Sequence, residues 1–264
     1  MNIDLTGKSA FVSGGAKGLG KSFVSALARS GATVYFTSRD SDSIARLETE
    51  STKHGLKVKG INVDITENDS LNKVGLILNA GKINIDILIN NVGDTLGIGA
   101  FDEDISNWEK VMNLNFYTHV RLTNYFLKDM KIKQWGRIVN ITSIAGLEVS
   151  GPPAFNASKA TLTAYTRSVG RLLAIEDPGI VMTAVAPGIV ATSGGHWEKI
   201  EKSDPVHLKN YMENRAALKR FGNEDEISGI VTFLCSEYSS FFHGSIIQVD
   251  GGQSRSYMSH TYLY

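Results

Sequence analysis

Apolar residues along the chain follow two rhythms. Short runs rich in β-branched side chains, Ser9 to Ser13, Thr33 to Ser38, Lys57 to Val63, Ile85 to Asn90, Arg137 to Thr142, Ile180 to Ala186 and Ser245 to Val249, alternate with longer stretches whose apolar positions recur at helical spacing. They predict seven strands with helices between them. Several runs are almost continuously apolar, as strands are when both faces of a sheet are covered. The predicted class is therefore α/β: a doubly wound, seven-stranded parallel sheet with helices on both faces.

With 264 residues, 42% of them hydrophobic, the chain can bury one large core. It contains no internal repeat, low-complexity tract or Pro- and Gly-rich linker, so residues 1–264 are expected to form a single domain. The most irregular region is the polar segment 193–218, after the Pro187-Gly188 break. Long segments of this kind are lids or binding loops, or surface insertions without function. A substrate lid is expected here, with a polar and aromatic tip at Gly194-Gly195-His196-Trp197.

Lys plus Arg and Asp plus Glu number 27 each, which leaves no basic field for nucleic acid or an anionic membrane. A small molecule is the natural partner. The N-terminal residues lack the cationic-then-apolar order of a signal peptide, and no apolar run is long enough to span a bilayer. The single cysteine, Cys235, cannot form an intrachain disulfide. Its apolar neighbours Ile230, Val231, Phe233 and Leu234 mark it as a core thiol, not a nucleophile. A reducing, cytoplasmic setting is expected, and no metal site is foreseen.

The first strand runs into Ser13-Gly14-Gly15-Ala16-Lys17-Gly18-Leu19-Gly20, which opens the apolar helix of Phe23, Val24, Leu27 and Ala28. A dinucleotide pyrophosphate needs close backbone approach and a helix N-terminus with free N–H groups, and side chains at these glycines would obstruct both. Many strand–helix junctions carry glycines only for tight turning, so the context matters as much as the motif. The expected cofactor contacts here are Ser13, Gly14, Lys17, Gly18, Leu19 and Gly20.

The second strand ends at Ser38-Arg39, with no carboxylate at position 38 to hold the adenosine ribose hydroxyls. Arg39 and Lys17 could instead pair with a ribose 2′-phosphate, or be ordinary solvated charges. NADP(H) is expected in preference to NAD(H), with Ser38 and Arg39 at its ribose end.

Further segments now match a known family in order. These are Asp64-Ile65, Asn90-Asn91-Val92-Gly93, the helix ending in Asn115, the strand ending in Ser143, Ala154-Phe155-Asn156-Ala157-Ser158-Lys159, Pro187-Gly188-Ile189-Val190-Ala191-Thr192 and Val249-Asp250-Gly251-Gly252. The chain resembles the short-chain dehydrogenase/reductase family, single-domain Rossmann proteins that move hydride between a nicotinamide and an alcohol or ketone. The resemblance implies that Asp64 and Ile65 contact the adenine, and that Asn90, with Gly93 in the same motif, lies near the adenosine ribose. It implies that Pro187, Gly188, Ile189 and Thr192 receive the carboxamide, through the Ile189 backbone and the Thr192 hydroxyl. It also implies Asn115 on a relay water, Ser143 on the substrate oxygen and Lys159 on the nicotinamide ribose, in a homotetramer or homodimer joined through the helices of Asn115 and Lys159.

The family pattern breaks at Phe155, where the proton-donating tyrosine of YxxxK is expected. Lys159 would lower that tyrosine's pKa from about 10 towards working pH. Phe155 keeps the ring and has no proton to give. Tyr165 lies on another helical face at about 3.6 residues per turn, and His196, Trp197 and Tyr211 belong to the expected lid. Three origins fit: an engineered change that holds a complex unreacted, a natural enzyme with a displaced acid, or a binding protein that lost catalysis. Asn115, Ser143, Lys159 and the cofactor motifs are all retained, which favours the first. The leading reading is an NADP(H)-dependent oxidoreductase acting on a secondary alcohol or ketone; the rival is a non-catalytic NADP(H)-binding or sensing protein.

Overall fold

Seven parallel strands lie in the order β3-β2-β1-β4-β5-β6-β7. They are β1 Ser9–Val12, β2 Thr33–Ser38, β3 Val58–Asn62, β4 Ile87–Asn90, β5 Gly136–Ile141, β6 Ile180–Pro187 and β7 Ile246–Val249. The computed structural model describes residues 2–193 and 195–255; Gly194, the His196 side chain and the residues after Arg255, which from their sequence could either dock on a neighbouring copy or fray, lie outside the described residues. Between strands run α1 Gly18–Arg29, α2 Ser41–Lys53, α3 Ser70–Ala80, α4 Ile105–Met112, α5 Thr118–Lys133, α6 Pro153–Glu176 and α9 Glu224–Leu234. Two further helices, α7 His196–Ser203 and α8 Pro205–Arg215, precede α9.

Alternation along each strand divides its side chains between two cores. Ala10, Val12, Ile87, Ile89 and Val139 join Phe23 and Leu27 of α1 and Ile227 and Val231 of α9. Phe11, Leu88, Ile138 and Met182 join Val74 of α3, Leu122 and Phe126 of α5 and Leu173 of α6. With helices on both faces, few strand positions need to be polar, and the runs are largely apolar. Cys235 is fully buried in the first core, and burial pushes its thiol pKa up, as suits an inert packing residue.

From β1 the chain winds outward through β2 to β3, then returns to place β4 on the other side of β1. Neighbouring connections diverge at that reversal and leave a crevice beyond the carboxyl ends of β1 and β4, where ligands bind in open α/β sheets. The segment 193–218 is more regular than its polarity suggests. Asp204 caps α8 by accepting from the His207 N–H at 2.9 Å, and Pro205 supplies its first position. Among the described residues no helix is long and apolar enough to cross a membrane.

Candidate active site

The glycine turn sits at the crevice. Gly18 has φ +52°, a left-handed conformation that disfavours other residues. A Cβ on Gly20 would stand 2.1 Å from the Gly14 carbonyl oxygen, so the first turn of α1 can press against the loop only without a side chain. No side chain caps α1: its N-cap is Lys17, whose ammonium has no acceptor to offer, so the first N–H groups of the helix have no side-chain cap. Leu19 anchors this turn by packing on the first core. Ser13 does not face the crevice as expected: it is fully buried, and its Oγ accepts from the Asn91 N–H at 2.9 Å and the Val92 N–H at 3.2 Å. It knits β1 to the segment after β4.

At the ribose end the two expected cations are present, each beside a carboxylate. Lys17 Nζ lies 2.7 Å from Asp40, and Arg39 lies 3.4 Å from Asp64. Both cations are largely exposed, so these pairs are weak and open to exchange for a stronger anion. The Lys17 hydrogen bond, helped by Ser43, holds the Asp40 carboxyl well below its usual range. Asp40 is spent as the cap of α2, accepting from the Ser43 N–H at 3.1 Å, while Ser38 Oγ accepts from the Asp40 N–H at 3.1 Å. Partial burial works against the Asp64 charge, yet hydrogen bonds from Thr66 and the nearby Arg39 outweigh it and lower the pKa. Ile65 beside it is buried.

The Asn90 side chain points into the protein, so only the backbone of this residue could meet a ribose. Its side chain is fully buried and donates to Asn140 Oδ1 at 2.8 Å and Thr123 Oγ1 at 3.1 Å, tying β4 to β5 and α5. Two positions after Leu88, it shares that residue's face towards α5, so its amide cannot turn to a ribose. Gly93 belongs to the reacting end of the cleft: a Cβ there would lie 2.8 Å from Asn115 Oδ1 and 2.9 Å from Lys159 Nζ. His119, missed in the sequence, pins the same segment through a 2.8 Å hydrogen bond to the Val92 carbonyl. Full burial, then the Lys159 charge, lowers its pKa to about 3, so the ring is neutral and its Nε2–H donates.

Asn115 lies in a π turn, Asn113–Tyr117, that joins α4 to α5. Its amide donates to the Asp94 carbonyl at 2.8 Å and the Val111 carbonyl at 2.9 Å, and its Oδ1 accepts from the Asp94 N–H at 3.2 Å. These bonds tie the side chain to the loop after β4. Ser143 follows β5 and caps the turn Ile144–Gly146, accepting from the Ala145 N–H at 3.1 Å, which leaves its O–H to donate.

Pro152-Pro153 starts α6, and Phe155 and Lys159 share one face a turn apart. Lys159 Nζ stands 5.6 Å from the Phe155 ring centre and donates to the Ile141 carbonyl at 3.0 Å. Burial lowers its pKa to about 7. Tyr165, packed edge-on against Phe116 and hydrogen-bonded to Thr123, lies away from Phe155, and burial raises its pKa.

After β6, Gly188 must be bare, since a Cβ would meet Gln253 Oε1 at 2.6 Å. Ile189 cannot serve as expected. Its N–H donates to Gln253 Oε1 at 2.7 Å and its carbonyl accepts from the Gly222 N–H at 2.9 Å. Val190 pairs with Gly222 in a parallel bridge, which turns its own N–H and carbonyl to the opposite side. The available backbone is thus one residue later than expected. Thr192 stands over the glycine turn, with its Cβ 3.5 Å from where a Gly18 Cβ would be. Gln253 follows Asp250-Gly251-Gly252 and is buried; nothing in its immediate sequence signals its role.

A doubly wound sheet with an uncapped glycine turn at its reversal point defines a Rossmann-type dinucleotide-binding protein. The chain belongs to the short-chain dehydrogenase/reductase family: the family model described as enoyl-(acyl carrier protein) reductase matches residues 14–254. It is 31% identical to a 3-oxoacyl-[acyl-carrier-protein] reductase of Aquifex aeolicus over 254 residues, covering 96% of this chain and 99% of that one. It is 33% identical to a tropinone reductase homolog of Arabidopsis thaliana, covering 94% and 92% of the two chains. A 3-oxoacyl (acyl-carrier-protein) reductase of Agrobacterium tumefaciens, solved with NADP bound, superposes with a TM-score of 0.86 at 25% identity, covering 95% of this chain and 96% of that one.

Proposed function

We propose that this protein is an NADP(H)-dependent oxidoreductase that interconverts a secondary alcohol and a ketone, in which Phe155 holds the place of the proton-donating tyrosine and impairs the proton step. The observation that carries this reading is the buried Lys159 ammonium 5.6 Å from the Phe155 ring, on one helical face.

The crevice suits the cofactor. The uncapped start of α1 and bare Gly20 fit a pyrophosphate, and Lys17 and Arg39 flank Ser38, where a 2′-phosphate would stand. Asp40, the carboxylate nearest in sequence to that end, is held in a helix cap and so is poorly placed to grip the hydroxyls of NAD. Val190 and Thr192 would receive the carboxamide, and Lys159 the nicotinamide ribose. When bound, NADP(H) supplies or accepts the hydride. The NADP held by the Agrobacterium relative supports the same choice here.

The remaining work falls to this chain's side chains. Ser143 donates its O–H to the reacting oxygen, and Lys159 stabilises negative charge that develops there. Phe155 fills the site and cannot protonate an alkoxide. Residues 193–218 form the substrate lid of a single domain. Exposed Ile105, Tyr117 and Ile132 along α4 and α5, with Leu172 and Ile175 of α6, support packing between copies in a dimer or tetramer.

Phe155→Tyr is expected to raise ketone reduction by about 10²–10⁴-fold, the usual contribution of a general acid. The test is NADPH consumption across ketones, sugars and polyols. The alternative is a nucleotide-binding sensor, for which Phe155 is also the supporting feature. Cofactor binding without turnover in either form favours the sensor and rejects the oxidoreductase.

A further inference from the structure

Beyond β6 the chain makes an excursion between Val190 and Gly222 before entering α9, and the isolated bridge between these two residues pinches its base. Within it, α8 turns one face inward. Leu208, Tyr211 and Arg215 are buried or half-buried, while Lys209, Asn210, Glu213 and Asn214 are exposed. Trp197 of α7 stacks on Tyr211, with ring centres 4.5 Å apart, so the two helices are packed together.

Two polar anchors hold that inward face. Glu148 Oε1 accepts from Arg215 Nη2 at 2.8 Å. Its other oxygen accepts from Ser254 Oγ at 3.0 Å and from the Arg255 N–H at 2.7 Å. The Glu148 side chain is only 13% exposed, so these charge-assisted bonds are shielded from water. Gln253 is the second anchor: its Nε2 donates to the Tyr211 oxygen at 2.5 Å while its Oε1 holds the Ile189 N–H. Glu148 stands on the loop that begins at Ser143, and Ile189 immediately precedes Val190. Each anchor therefore ends beside a different part of the candidate site.

We propose that Glu148 and Gln253 are positioning residues that clasp α8 shut over the substrate side of the cleft, joining lid closure to the set of the Ser143 loop and the Val190 turn. The placement over substrate rests on the lid reading above; the clasp itself is tested without turnover.

Hydrogen-exchange mass spectrometry on the full chain provides the test. Glu148→Gln keeps the shape and removes the charge. Exchange across α8 is expected to rise about tenfold, the scale of one lost hydrogen bond to a charged group, while β4 and β5 keep theirs. Arg215→Gln, at the lid end of the same bond, gives the same local rise. The double variant exceeds either single change by no more than about twofold, because one interaction is removed twice. Tyr211→Phe, which deletes only the Gln253 bond, gives a smaller rise, and no rise removes Gln253 from the clasp. Unchanged α8 exchange in both Glu148→Gln and Arg215→Gln overturns the proposal. So does a rise shared equally by β4 and β5, which would mark a general loss of stability. If Glu148→Gln does not fold, Arg215→Gln decides alone.

Discussion

The two ends of the cleft are built by opposite means. At the β1–α1 turn the site is backbone: bare glycines make room and a helix start presents N–H groups. Beyond β5 the proposed site is side chain: Phe155 and Lys159 stand a turn apart on α6, Gly93 lies against Lys159 and Asn115, and Ser143 is on the loop after β5. A backbone site tolerates changes in most surrounding side chains and fails when a glycine gains an atom. A side-chain site can keep its shape and fail for want of one atom. On the reading proposed here, the missing phenolic oxygen at Phe155 leaves the glycine end untouched and impairs the chemistry.

Alanine at one glycine of each end tests that contrast. In the Phe155→Tyr background, Gly93→Ala is expected to cost about 10²-fold in turnover, the scale of a misplaced catalytic group. The fold should survive, because the atoms met by the new Cβ include the flexible end of Lys159. Gly20→Ala should behave differently, since its Cβ meets backbone at 2.1 Å. We expect a stability loss of about 1–3 kcal/mol by chemical denaturation, with NADPH binding lost in titration calorimetry. Equal NADPH affinity in Gly20→Ala and the unaltered chain would remove the glycine turn from the cofactor site.

The strands and the doubly wound class were readable in the sequence because both faces of the sheet are covered and turn residues bound each run. Helices α7 and α8 were not. The inward face of α8 is short, Leu208 with half-buried Tyr211, Met212 and Arg215, and the flanking residues are polar, although the Asp204-Pro205 cap marks its start. Side-chain direction was the second gap. Ser13 and Asn90 lie in the right motifs and point into the protein, and for Asn90 the period-two relation to Leu88 carries that information. The shift from Ile189 to Val190 depends on the bridge to Gly222 and the hydrogen bond from Gln253, contacts distant in sequence that no local pattern encodes.

A smaller effect separates the phosphate cations from the glycine turn. Arg39→Ala and Lys17→Ala are each expected to weaken NADPH binding about two- to fivefold, the scale of an exposed charge pair, with NADH affinity little changed. Each change also leaves a carboxylate, Asp64 or Asp40, without its cation at that end. Parallel NADPH and NADH titrations read this directly. Tighter NADH than NADPH binding in the unaltered chain would reverse the cofactor assignment.

The smallest expected effect concerns the stability cost of the side-chain end. Burial lowers the Lys159 pKa to about 7, below the value of about 10.4 for an unfolded lysine. Between those values the unfolded chain binds the extra proton, so this group makes stability rise with pH across that window. Below pH 7 both states carry the charge, and the fold bears the full cost of a buried ammonium. Lys159→Met, similar in length and uncharged, should therefore raise the melting midpoint most below pH 7, and the gain should shrink as pH approaches 10. Thermal melts at pH 6 and pH 9 check the sign. A gain that grows with pH would mean that Lys159 stabilises the fold as a cation, through a partner other than the Ile141 carbonyl.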